Sequence, residues 1–456
     1  MDISRKEFLR KASILTVGFS SFGPLLASIS KTVNHTPYNN LIKDLDGIID
    51  LPKNFTYKII SKFNDKMSDK LRVPNNADGM GCFKWDKDRV VLVRNHEIGH
   101  FPIAQNMFGK KNPYGRYLKK YIKNNKIKFY DFEDQTTECF GGTTTILYNT
   151  KTSKVEDQYL SLSGTLVNCS GGQTPWNTWI SCEETVKKSN GKINKDHGFN
   201  FEVNPFQGSD LNSPIPLKEM GRFRHEAVAF DPDNGFVYQT EDREDGLFYR
   251  FIPNEKGNLK KGGKLQGLSL KKFRGPDCSN WKSNNFKVGD KHEVRWLNLE
   301  NVYLHDDDLR TRGKAQGCAT FTRGEGVWFG DDFVYFTCTN GGKNKHGQIW
   351  RYKHNNFDSS SGFLELFYES NDKNLLNMPD NITISPWGDL IVSEDGKGHD
   401  RLIGIKPDGE TYLLAENRFN KSEFAGAVFS PFGNELFVNI YKPTMTIAIS
   451  GDWNSL

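Results

Sequence analysis

A strand–turn–strand unit recurs along this chain, and each copy begins or ends with acidic or amide residues. The fullest copies are His225–Asp242 and Asp380–Asp395, and looser copies span Glu325–Asn340 and Phe424–Asn439. Segments that favour a third strand follow three of the copies, at Gly246–Ile252, Gly347–Tyr352 and Arg401–Lys406. Several β-meanders of this type are typical of the blades of a β-propeller, whose innermost strands converge on a central channel. The repeats therefore predict an all-β fold, a β-propeller, in which polar residues meet at the channel mouth.

The composition also favours strands joined by turns. The 456 residues include 42 Gly, 33 Phe, 16 Tyr and 9 Trp but only 7 Met, and this balance favours sheets over packed helices. Because all-β folds run long as single units, residues 29–456 are predicted to form one domain. Two segments break the repeat and are predicted to be loop or helical insertions, near residues 101–137 and 253–296.

Residues 1–28 have the character of an export signal. A basic stretch, Ser4–Lys11, precedes a mildly apolar run, Ala12–Ala27, which is too short and too polar in its middle to predict a membrane span. The pair Arg5-Lys6 is similar to a twin-arginine signal, although Lys6 stands where the second arginine belongs. Ordinary secretion, a membrane anchor and a plain amphipathic helix stay open as alternatives. We expect an exported protein, periplasmic or secreted, without a stable membrane span.

The charge pattern argues against nucleic acid as a partner. The net charge is +5, and the lysines are interspersed with acidic residues instead of forming a basic stripe. A protein that neutralises a nucleic-acid backbone needs such a stripe. The expected partner is a small molecule, and the expected state is a monomer.

The block Asn168–Thr185 contains a cysteine, Cys169, in a predicted glycine-rich turn, followed by Cys182 and the paired acids Glu183 and Glu184. A thiolate and carboxylates at one point suit a metal that accepts both sulfur and oxygen, such as iron or zinc. The chain has seven cysteines, so at least one thiol cannot pair within the chain. Cys169 is the candidate for a reactive thiol, and the alternative is that Cys169 and Cys182 are buried small residues or a disulfide.

Acidic and amide residues stand at many predicted strand ends. One such residue alone is most often solvated or caps a turn, but a propeller would bring the recurrent ones to one channel. Converging carboxylates repel one another unless multivalent cations bind between them. Oxygen ligands suit Ca²⁺, whereas the Cys169 end suits iron. The predicted ligands beside Cys169 are Asp78, Glu97, Glu183, Glu184, Glu226, Glu241, Glu325, Asp380, Asn381, Glu394 and Asp395.

Arg323 is a cation among these acids and stands two residues before Glu325. A fixed guanidinium can bind a phosphate through two parallel hydrogen bonds. The alternative is a structural ion pair with the acidic residues.

Together these motifs resemble the PhoX-type alkaline phosphatase family, over the chain from about Asp78 to Asn439. The motifs that carry the resemblance are Asn95-His96-Glu97, Gly141-Gly142-Thr143, Asn168–Gly172 with Thr174-Pro175-Trp176, Cys182–Thr185, Arg224-His225-Glu226, Arg323–Gly326, Thr339–Gly342, Pro379-Asp380-Asn381 and Ser393-Glu394-Asp395. The resemblance implies a six-bladed propeller that the twin-arginine machinery exports in the folded state. It also implies a site with two ferric ions, three calcium ions and a bridging oxo or hydroxide group.

The resemblance also implies roles for individual residues. Cys169 would be a thiolate ligand of iron, with carboxylates from Glu226, Glu325 and an acid of the Cys182-Glu183-Glu184 block. The iron or calcium shells would be completed by Asp380, Asn381, Glu394 and Asp395. The substrate phosphate would be bound by Arg323 and Asn340.

The expected function is that of a metal-dependent alkaline phosphatase that hydrolyses phosphomonoesters. Clustered cations would neutralise the phosphoryl oxygens while Arg323 orients the group, so no protein nucleophile is required. The sequence contains no Gly-x-Ser-x-Gly elbow that would supply one. Two alternatives stay open. A calcium-dependent propeller lactonase or phosphotriesterase would not need a thiolate at Cys169, and a noncatalytic propeller that binds envelope proteins would need neither Cys169 nor Arg323.

Overall fold

The computed structural model describes residues 41–99, 128–131, 139–190, 193–208, 213–330, 332–355 and 358–456. The predicted export signal and most of the predicted insertion at 101–137 lie outside these residues. Strands dominate because the segments between Gly, Asp and Asn turns are rich in apolar and aromatic residues that fit a pleated, buried surface. The described part of the chain contains one α-helix, α1 (Leu309–Gln316).

The described structure contains twenty-five strands. The first thirteen are β1 (Ile49–Asp50), β2 (Phe55–Lys62), β3 (Ala77–Lys84), β4 (Arg89–His96), β5 (Gly141–Asn149), β6 (Lys154–Thr165), β7 (Asn168–Gln173), β8 (Trp179–Glu183), β9 (Asn200–Val203), β10 (His225–Phe230), β11 (Val237–Glu241), β12 (Tyr249–Pro253) and β13 (Gly263–Leu270). The others are β14 (Lys291–Asn298), β15 (Gly324–Gly330), β16 (Phe333–Cys338), β17 (Gln348–Asn355), β18 (Asp358–Glu369), β19 (Pro379–Ile384), β20 (Leu390–Glu394), β21 (Arg401–Ile405), β22 (Thr411–Asn417), β23 (Phe424–Phe429), β24 (Glu435–Ile440) and β25 (Met445–Gly451).

The strands form antiparallel sheets that mostly follow chain order. Four sheets have the orders β3-β4-β5-β6, β7-β8-β9, β1-β22-β21-β20-β19 and β2-β25-β24-β23. A nine-stranded sheet has the order β10-β11-β12-β13-β14-β18-β17-β16-β15, so β14 joins two four-stranded meanders at their outer edges. The early strand β2 pairs with β25, from Phe55↔Gly451 to Lys62↔Met445. This pairing ties the beginning of the described chain to its end.

The innermost strand of each meander faces the centre of the molecule. Strands β3, β7, β10, β15, β19 and β23 contact one another in sequence, and β23 contacts β3 again, which closes a ring. These strands are buried along most of their length, whereas the outer strands β2 and β14 alternate between buried and exposed residues. Continuous burial marks a strand packed on both faces, and alternation marks a strand with one solvated face. The prediction of an all-β, propeller-like fold is confirmed.

The predicted repeats coincide with strands. The four strand–turn–strand units correspond to β10–β11, β15–β16, β19–β20 and β23–β24, and the predicted third strands correspond to β12, β17 and β21. The structure differs in residues 253–296, where the sequence predicts an insertion. This segment contains β13 and most of β14, which belong to the nine-stranded sheet because Leu265, Leu268 and Leu270 are buried there.

Two further features bear on the sequence predictions. All seven cysteines are buried and none forms a disulfide. No helix among the described residues has both the length and the apolar character that crossing a bilayer requires.

Candidate metal centre

The six innermost strands share one irregularity near their start. In β3, Ala77 pairs with His96 and Met80 with Arg94, so two residues of the inner strand oppose one residue of its neighbour. The other five strands repeat this register shift, between Asn168 and Gly171, His225 and Val228, Gly324 and Val327, Pro379 and Ile382, and Ala425 and Val428. This is the geometry of a β-bulge, which redirects side chains and is common beside active sites. Every inner strand is therefore bent at the same position.

The first residue of the bulge is a potential metal ligand in five of the six strands. These five residues are Asp78, Cys169, Glu226, Glu325 and Asp380, and the sixth residue is Gly426. Gly426 has a φ of +62°, and a Cβ atom there would collide with the carbonyl oxygen of Asp78. The sixth inner strand therefore brings no side chain to this position.

In each meander, the strand that pairs with the inner strand is called the second strand. At the end of four second strands stand two neighbouring residues whose side chains point in different directions. The first residue of each pair lies opposite the start of an inner strand, as in Glu183↔Asn168, Glu241↔His225, Glu394↔Pro379 and His96↔Ala77. Successive side chains of a strand point to opposite faces, so the residue that follows points the other way. The residues that follow are Glu184, Asp242, Asp395 and Glu97, and it is these that lie among the acids of the ring.

Two overlapping groups of side chains are close enough to hold metal ions. The ligand atoms of Cys169, Glu184 and Glu226 lie within 4.8 Å of one another, and so do those of Glu226, Glu325 and Asp380. Glu226 belongs to both groups, which therefore form one continuous set. The name central cluster is used for these five residues together with Asp78, Glu97, Asp242, Asp395 and Glu423.

The acids of the central cluster raise one another's pKa. Burial, with the charges of Glu325 and Asp380, raises the pKa of Glu226 well above its ordinary value. Burial and the charge of Asp242 do the same to the pKa of Glu325, and burial with the charge of Asp395 raises the pKa of Asp380 to about 7. Both desolvation and like charges disfavour an ionised carboxylate. Multivalent cations would relieve both effects, so the donor set fits bound metal ions.

Cys169 lies within strand β7, not in the turn that the sequence predicts. Gly171 and Gly172 continue the strand. Glycine is needed at both positions because a Cβ atom on either would collide with a carbonyl oxygen of a neighbouring strand. The Cys169 thiol is buried, with Sγ 3.2 Å from the carbonyl oxygen of His225 and 3.4 Å from that of Glu226. Burial and the charge of Glu226 raise the pKa of this thiol. A cation at this position would stabilise the thiolate.

Arg323 bridges two acids of the central cluster. Its Nε donates to Asp242 Oδ1 at 3.0 Å and its Nη2 donates to Glu325 Oε1 at 2.8 Å, while the side chain stays 28% exposed. Among the described residues, no hydrogen bond uses its Nη1. The backbone of Arg323 has a φ of +45°, which is uncommon for a residue other than glycine. The charge of Glu325 raises the pKa of the guanidinium, so Arg323 is a fixed cation that is partly open to solvent.

Arg224 is a second guanidinium beside the central cluster. It forms an ion pair with Glu184, and its Nη2 lies 3.7 Å from Asp242 Oδ2. Asp242 therefore lies between the two arginines. Arg224 occurs in a motif of the resemblance, but no role was predicted for it.

Three other predicted residues have polar atoms that are held by the protein. Glu97 accepts a hydrogen bond from the hydroxyl of Tyr441. Asn381 Oδ1 accepts one from a backbone N–H of β23 at 2.6 Å. Asn340 Oδ1 accepts one from the Thr322 hydroxyl at 2.6 Å. These contacts orient the three side chains, and they leave the amide nitrogen of Asn340 available as a donor.

Three predicted metal ligands, Glu183, Glu241 and Glu394, belong to neither group of the central cluster. Glu394 forms two 2.6 Å hydrogen bonds with the guanidinium of Arg401. Glu241 accepts a hydrogen bond from the Tyr249 hydroxyl at 2.7 Å, and Glu183 is engaged by three backbone N–H groups and a histidine ring. All three precede the inward-pointing residue by one position. In the structure these three side chains make contacts that hold loops and strands in place, and their role as metal ligands stays a prediction.

Glu423 is an acid of the central cluster that the sequence prediction missed. It directly precedes β23, and burial with the charges of Asp380 and Asp395 raises its pKa well above the ordinary value. Because Gly426 has no side chain, Glu423 is the acid that the sixth inner strand brings to the cluster. The signal was present in the sequence, since Glu423 stands one residue before the loosest predicted repeat.

Comparison with known proteins adds a family and a fold. The family model described as alkaline phosphatase PhoX matches residues 36–444. A solved structure of Pseudomonas fluorescens PhoX in complex with vanadate, a transition state analogue, is 18% identical with a TM-score of 0.66, and the match covers 91% of this chain and 97% of that chain. At this identity the likeness shows the shared fold.

Other solved structures are less similar. A gluconolactonase from Xanthomonas campestris is 10% identical with a TM-score of 0.43, and the match covers 88% of this chain and 96% of that chain. A periplasmic gluconolactonase from Pseudomonas aeruginosa is 10% identical with a TM-score of 0.40, covering 87% of this chain and 92% of that chain. No curated protein matches the sequence.

Proposed function

The chain belongs to the alkaline phosphatase PhoX family, and we propose that the central cluster is the site at which it hydrolyses phosphomonoesters. The enzyme is accordingly a phosphoric monoester hydrolase that releases phosphate and an alcohol. The observation that carries the proposal is the convergence of one thiol and four carboxylates, from Cys169, Glu184, Glu226, Glu325 and Asp380, in two overlapping metal-capable groups.

The chemistry of the donors supports iron and calcium as the metals. Cys169, with Glu184 and Glu226, supplies one sulfur and carboxylate oxygens, a set that suits iron. Glu325 and Asp380, with their neighbours Asp78, Glu97, Asp395 and Glu423, supply oxygen alone, which suits calcium. The number of ions, two ferric and three calcium with a bridging oxo or hydroxide group, rests on the family resemblance.

Arg323 is proposed to bind the phosphate of the substrate. Asp242 and Glu325 fix the plane of its guanidinium, and its Nη1 is available to donate to a phosphoryl oxygen. An arginine stays protonated at alkaline pH, so this donor persists under the conditions at which an alkaline phosphatase works. The amide nitrogen of Asn340 is proposed as a second donor, since Thr322 holds the other end of that amide.

The chain's residues position the substrate, and the bound ions supply the remaining chemistry. When present, such ions neutralise the phosphoryl oxygens and generate a nucleophile from water. Asp242 keeps Arg224 and Arg323 close to the central cluster. The positive charge of both guanidinium groups would attract the negatively charged phosphate. No protein nucleophile takes part in this proposal.

The finer architecture and the cell biology are also proposals. Six inner strands with the same bulge support six blades, with the nine-stranded sheet counted as two blades joined through β14. Export by the twin-arginine machinery to the periplasm or the medium is supported by the Arg5-Lys6 pair and by the family. A monomeric state stays a prediction.

Metal analysis of the purified protein, combined with hydrolysis of a chromogenic phosphomonoester, tests the proposed function. We expect iron and calcium together, and activity that falls when a calcium chelator is added and returns when calcium is restored. Calcium without iron, with hydrolysis of lactones or phosphotriesters in place of monoesters, would favour the lactonase-like alternative. A protein that binds no metal and hydrolyses none of these esters would favour a binding propeller.

A further inference from the structure

A third group of potential metal ligands lies outside the central cluster. The ligand atoms of Asp131, Cys139 and His197 lie within 4.8 Å of one another, and all three residues are buried. Asp131 continues a segment that hydrogen-bonds to the end of β6, Cys139 precedes β5, and His197 lies between β8 and β9. None of them lies on an inner strand, so the group consists of residues from three segments outside the ring of inner strands.

The histidine ring is oriented by a carboxylate on its far side. His197 Nδ1 lies 2.6 Å from Glu183 Oε1, and the backbone N–H groups of Leu166, Gly198 and Phe199 also donate to Glu183. These donors fix the Glu183 carboxylate, which in turn fixes the proton of His197 on Nδ1. Metal-bound histidines almost always donate their second ring N–H to such a partner. Nε2 faces Asp131 and Cys139, and it would supply a lone pair to an ion bound between them.

The distance from Nε2 to the Asp131 carboxylate is long for a hydrogen bond. Nε2 lies 3.4 Å from Asp131 Oδ2 and 3.6 Å from Cys139 Sγ. In a tetrahedral zinc site with Zn–N and Zn–O near 2.1 Å and Zn–S near 2.3 Å, neighbouring ligand atoms are about 3.3–3.8 Å apart. An N–H···O hydrogen bond is typically about 2.9–3.0 Å long. The separation of Nε2 and Asp131 Oδ2 is therefore longer than a typical hydrogen bond, and both separations fall in the range of ligands that share an ion.

We propose that Asp131, Cys139 and His197 form a second metal site for Zn²⁺ or a similar borderline divalent ion, with Glu183 as the positioning residue of His197. An imidazole, a thiolate and a carboxylate are ligands that such an ion accepts, whereas Ca²⁺ prefers oxygen alone. On binding, the Cys139 thiol loses its proton to solvent and His197 binds as neutral imidazole. The charges of Asp131 and the Cys139 thiolate then balance the ion. Binding of the ion to the folded state alone would stabilise the contact between these three segments.

Cobalt substitution tests this site in the full-length chain. Cys169→Ala removes the thiol of the central cluster, so a cobalt–thiolate absorption band in that protein has to come from another cysteine. We expect a band of one thiolate per chain, retained when Cys82→Ala is added and lost when Cys139→Ala is added. Cys82 is the matched control because it is a buried thiol that belongs to none of the metal-capable groups of the described residues.

The proposal is overturned if the Cys169→Ala protein shows no cobalt–thiolate band, or if Cys139→Ala leaves the band unchanged. If Cys139→Ala does not fold, crystals of the unsubstituted protein soaked in Zn²⁺ decide the question by anomalous scattering. A zinc peak between Cys139 Sγ and His197 Nε2 supports the site. The absence of that peak would leave His197 as an imidazolium that pairs with Glu183 and Asp131. Neither measurement depends on phosphatase activity, so the outcome is separate from that of the proposed function.

Discussion

Two sets of acids stand one residue apart in the sequence and have different surroundings. Glu184 and Asp395 belong to the central cluster, in which many carboxylates share two guanidinium groups, those of Arg224 and Arg323. Glu183 and Glu394, the residues directly before them, are held by hydrogen-bond donors of the protein. The same kind of residue in the same motif is therefore a potential ligand in one case and a structural anchor in the other. The direction of the side chain at the end of the strand decides which role it has.

This contrast also explains which acids need a cation. An anchored carboxylate has its charge compensated inside the fold, as Glu394 does with Arg401. The acids of the central cluster have each other as neighbours, and two guanidinium groups do not balance them. Multivalent ions would therefore contribute most to stability at these uncompensated carboxylates.

The largest effect is expected from removing the charge of Glu226, which belongs to both metal-capable groups of the central cluster. Glu226→Gln should lower phosphomonoesterase activity by about 1,000-fold or more, because a metal-dependent site that loses its ions loses most of its rate enhancement. Bound iron and calcium, measured by elemental analysis, should fall in the same protein.

Glu365→Gln is the matched control for this change. Glu365 is also buried and pairs with Arg351 in an outer part of the sheet, at 2.7 Å. It should keep its metals and its activity. Full activity and full metal content in Glu226→Gln would contradict the assignment of the site.

Arg323→Ala should have the next largest effect. Loss of one preorganised donor to a phosphoryl group costs about 100- to 1,000-fold in rate, and kcat/KM for a chromogenic phosphomonoester measures it. Inhibition by inorganic phosphate should weaken in parallel, because the same guanidinium would bind the product. If Arg323 serves only as an ion-pair partner of Asp242 and Glu325, stability will fall while phosphate inhibition stays the same.

A smaller effect is expected on the pH dependence of stability. The folded protein raises the pKa of Asp380 to about 7 and also raises the pKa values of Glu226 and Glu325. A carboxyl with a raised pKa holds its proton more tightly in the folded state, so folding is favoured at pH values below the unfolded pKa and loses stability as pH rises toward the folded pKa. The metal-free protein should therefore melt at least about 5 °C lower at pH 8 than at pH 5.

Calcium and iron should remove most of this pH dependence, because the ions compensate the ionised carboxylates. Thermal melts of the metal-stripped protein across this pH range, with and without added ions, measure the pH dependence of the melting temperature in both states. A metal-free protein that becomes more stable between pH 5 and pH 8 would show that these acids are compensated by other groups.

The fold and the family could be predicted from the sequence because both depend on patterns that repeat. Strand–turn–strand units such as His225–Asp242 carry a local signal in every copy, and the acid at the start of an inner strand marks Glu226, Glu325 and Asp380 as candidate ligands. Strand β13 was missed because Gly263–Leu270 follows a polar, lysine-rich turn and contains two glycines, which weaken the signal of a strand.

The directions of the side chains at the site could not be predicted, for one physical reason. Sequence alone does not show the register at which a strand ends, and a shift of one residue reverses the direction of a side chain. Glu183, Glu241 and Glu394 were therefore predicted as ligands on the same footing as Glu184 and Asp395, and these assignments stay predictions. Cys169 was placed in a turn because glycines usually signal turns, whereas here Gly171 and Gly172 allow close approach of neighbouring strands.

The most direct test makes the same substitution at the two positions of the contrast. Glu184→Gln and Glu394→Gln are compared for bound iron, phosphomonoesterase activity and free energy of unfolding. We predict that Glu184→Gln loses iron and at least about tenfold in activity, and that Glu394→Gln keeps both but loses about 3 kcal/mol of stability with its broken ion pair. Loss of iron and activity in Glu394→Gln, with Glu184→Gln unaffected, would contradict this assignment of the two positions.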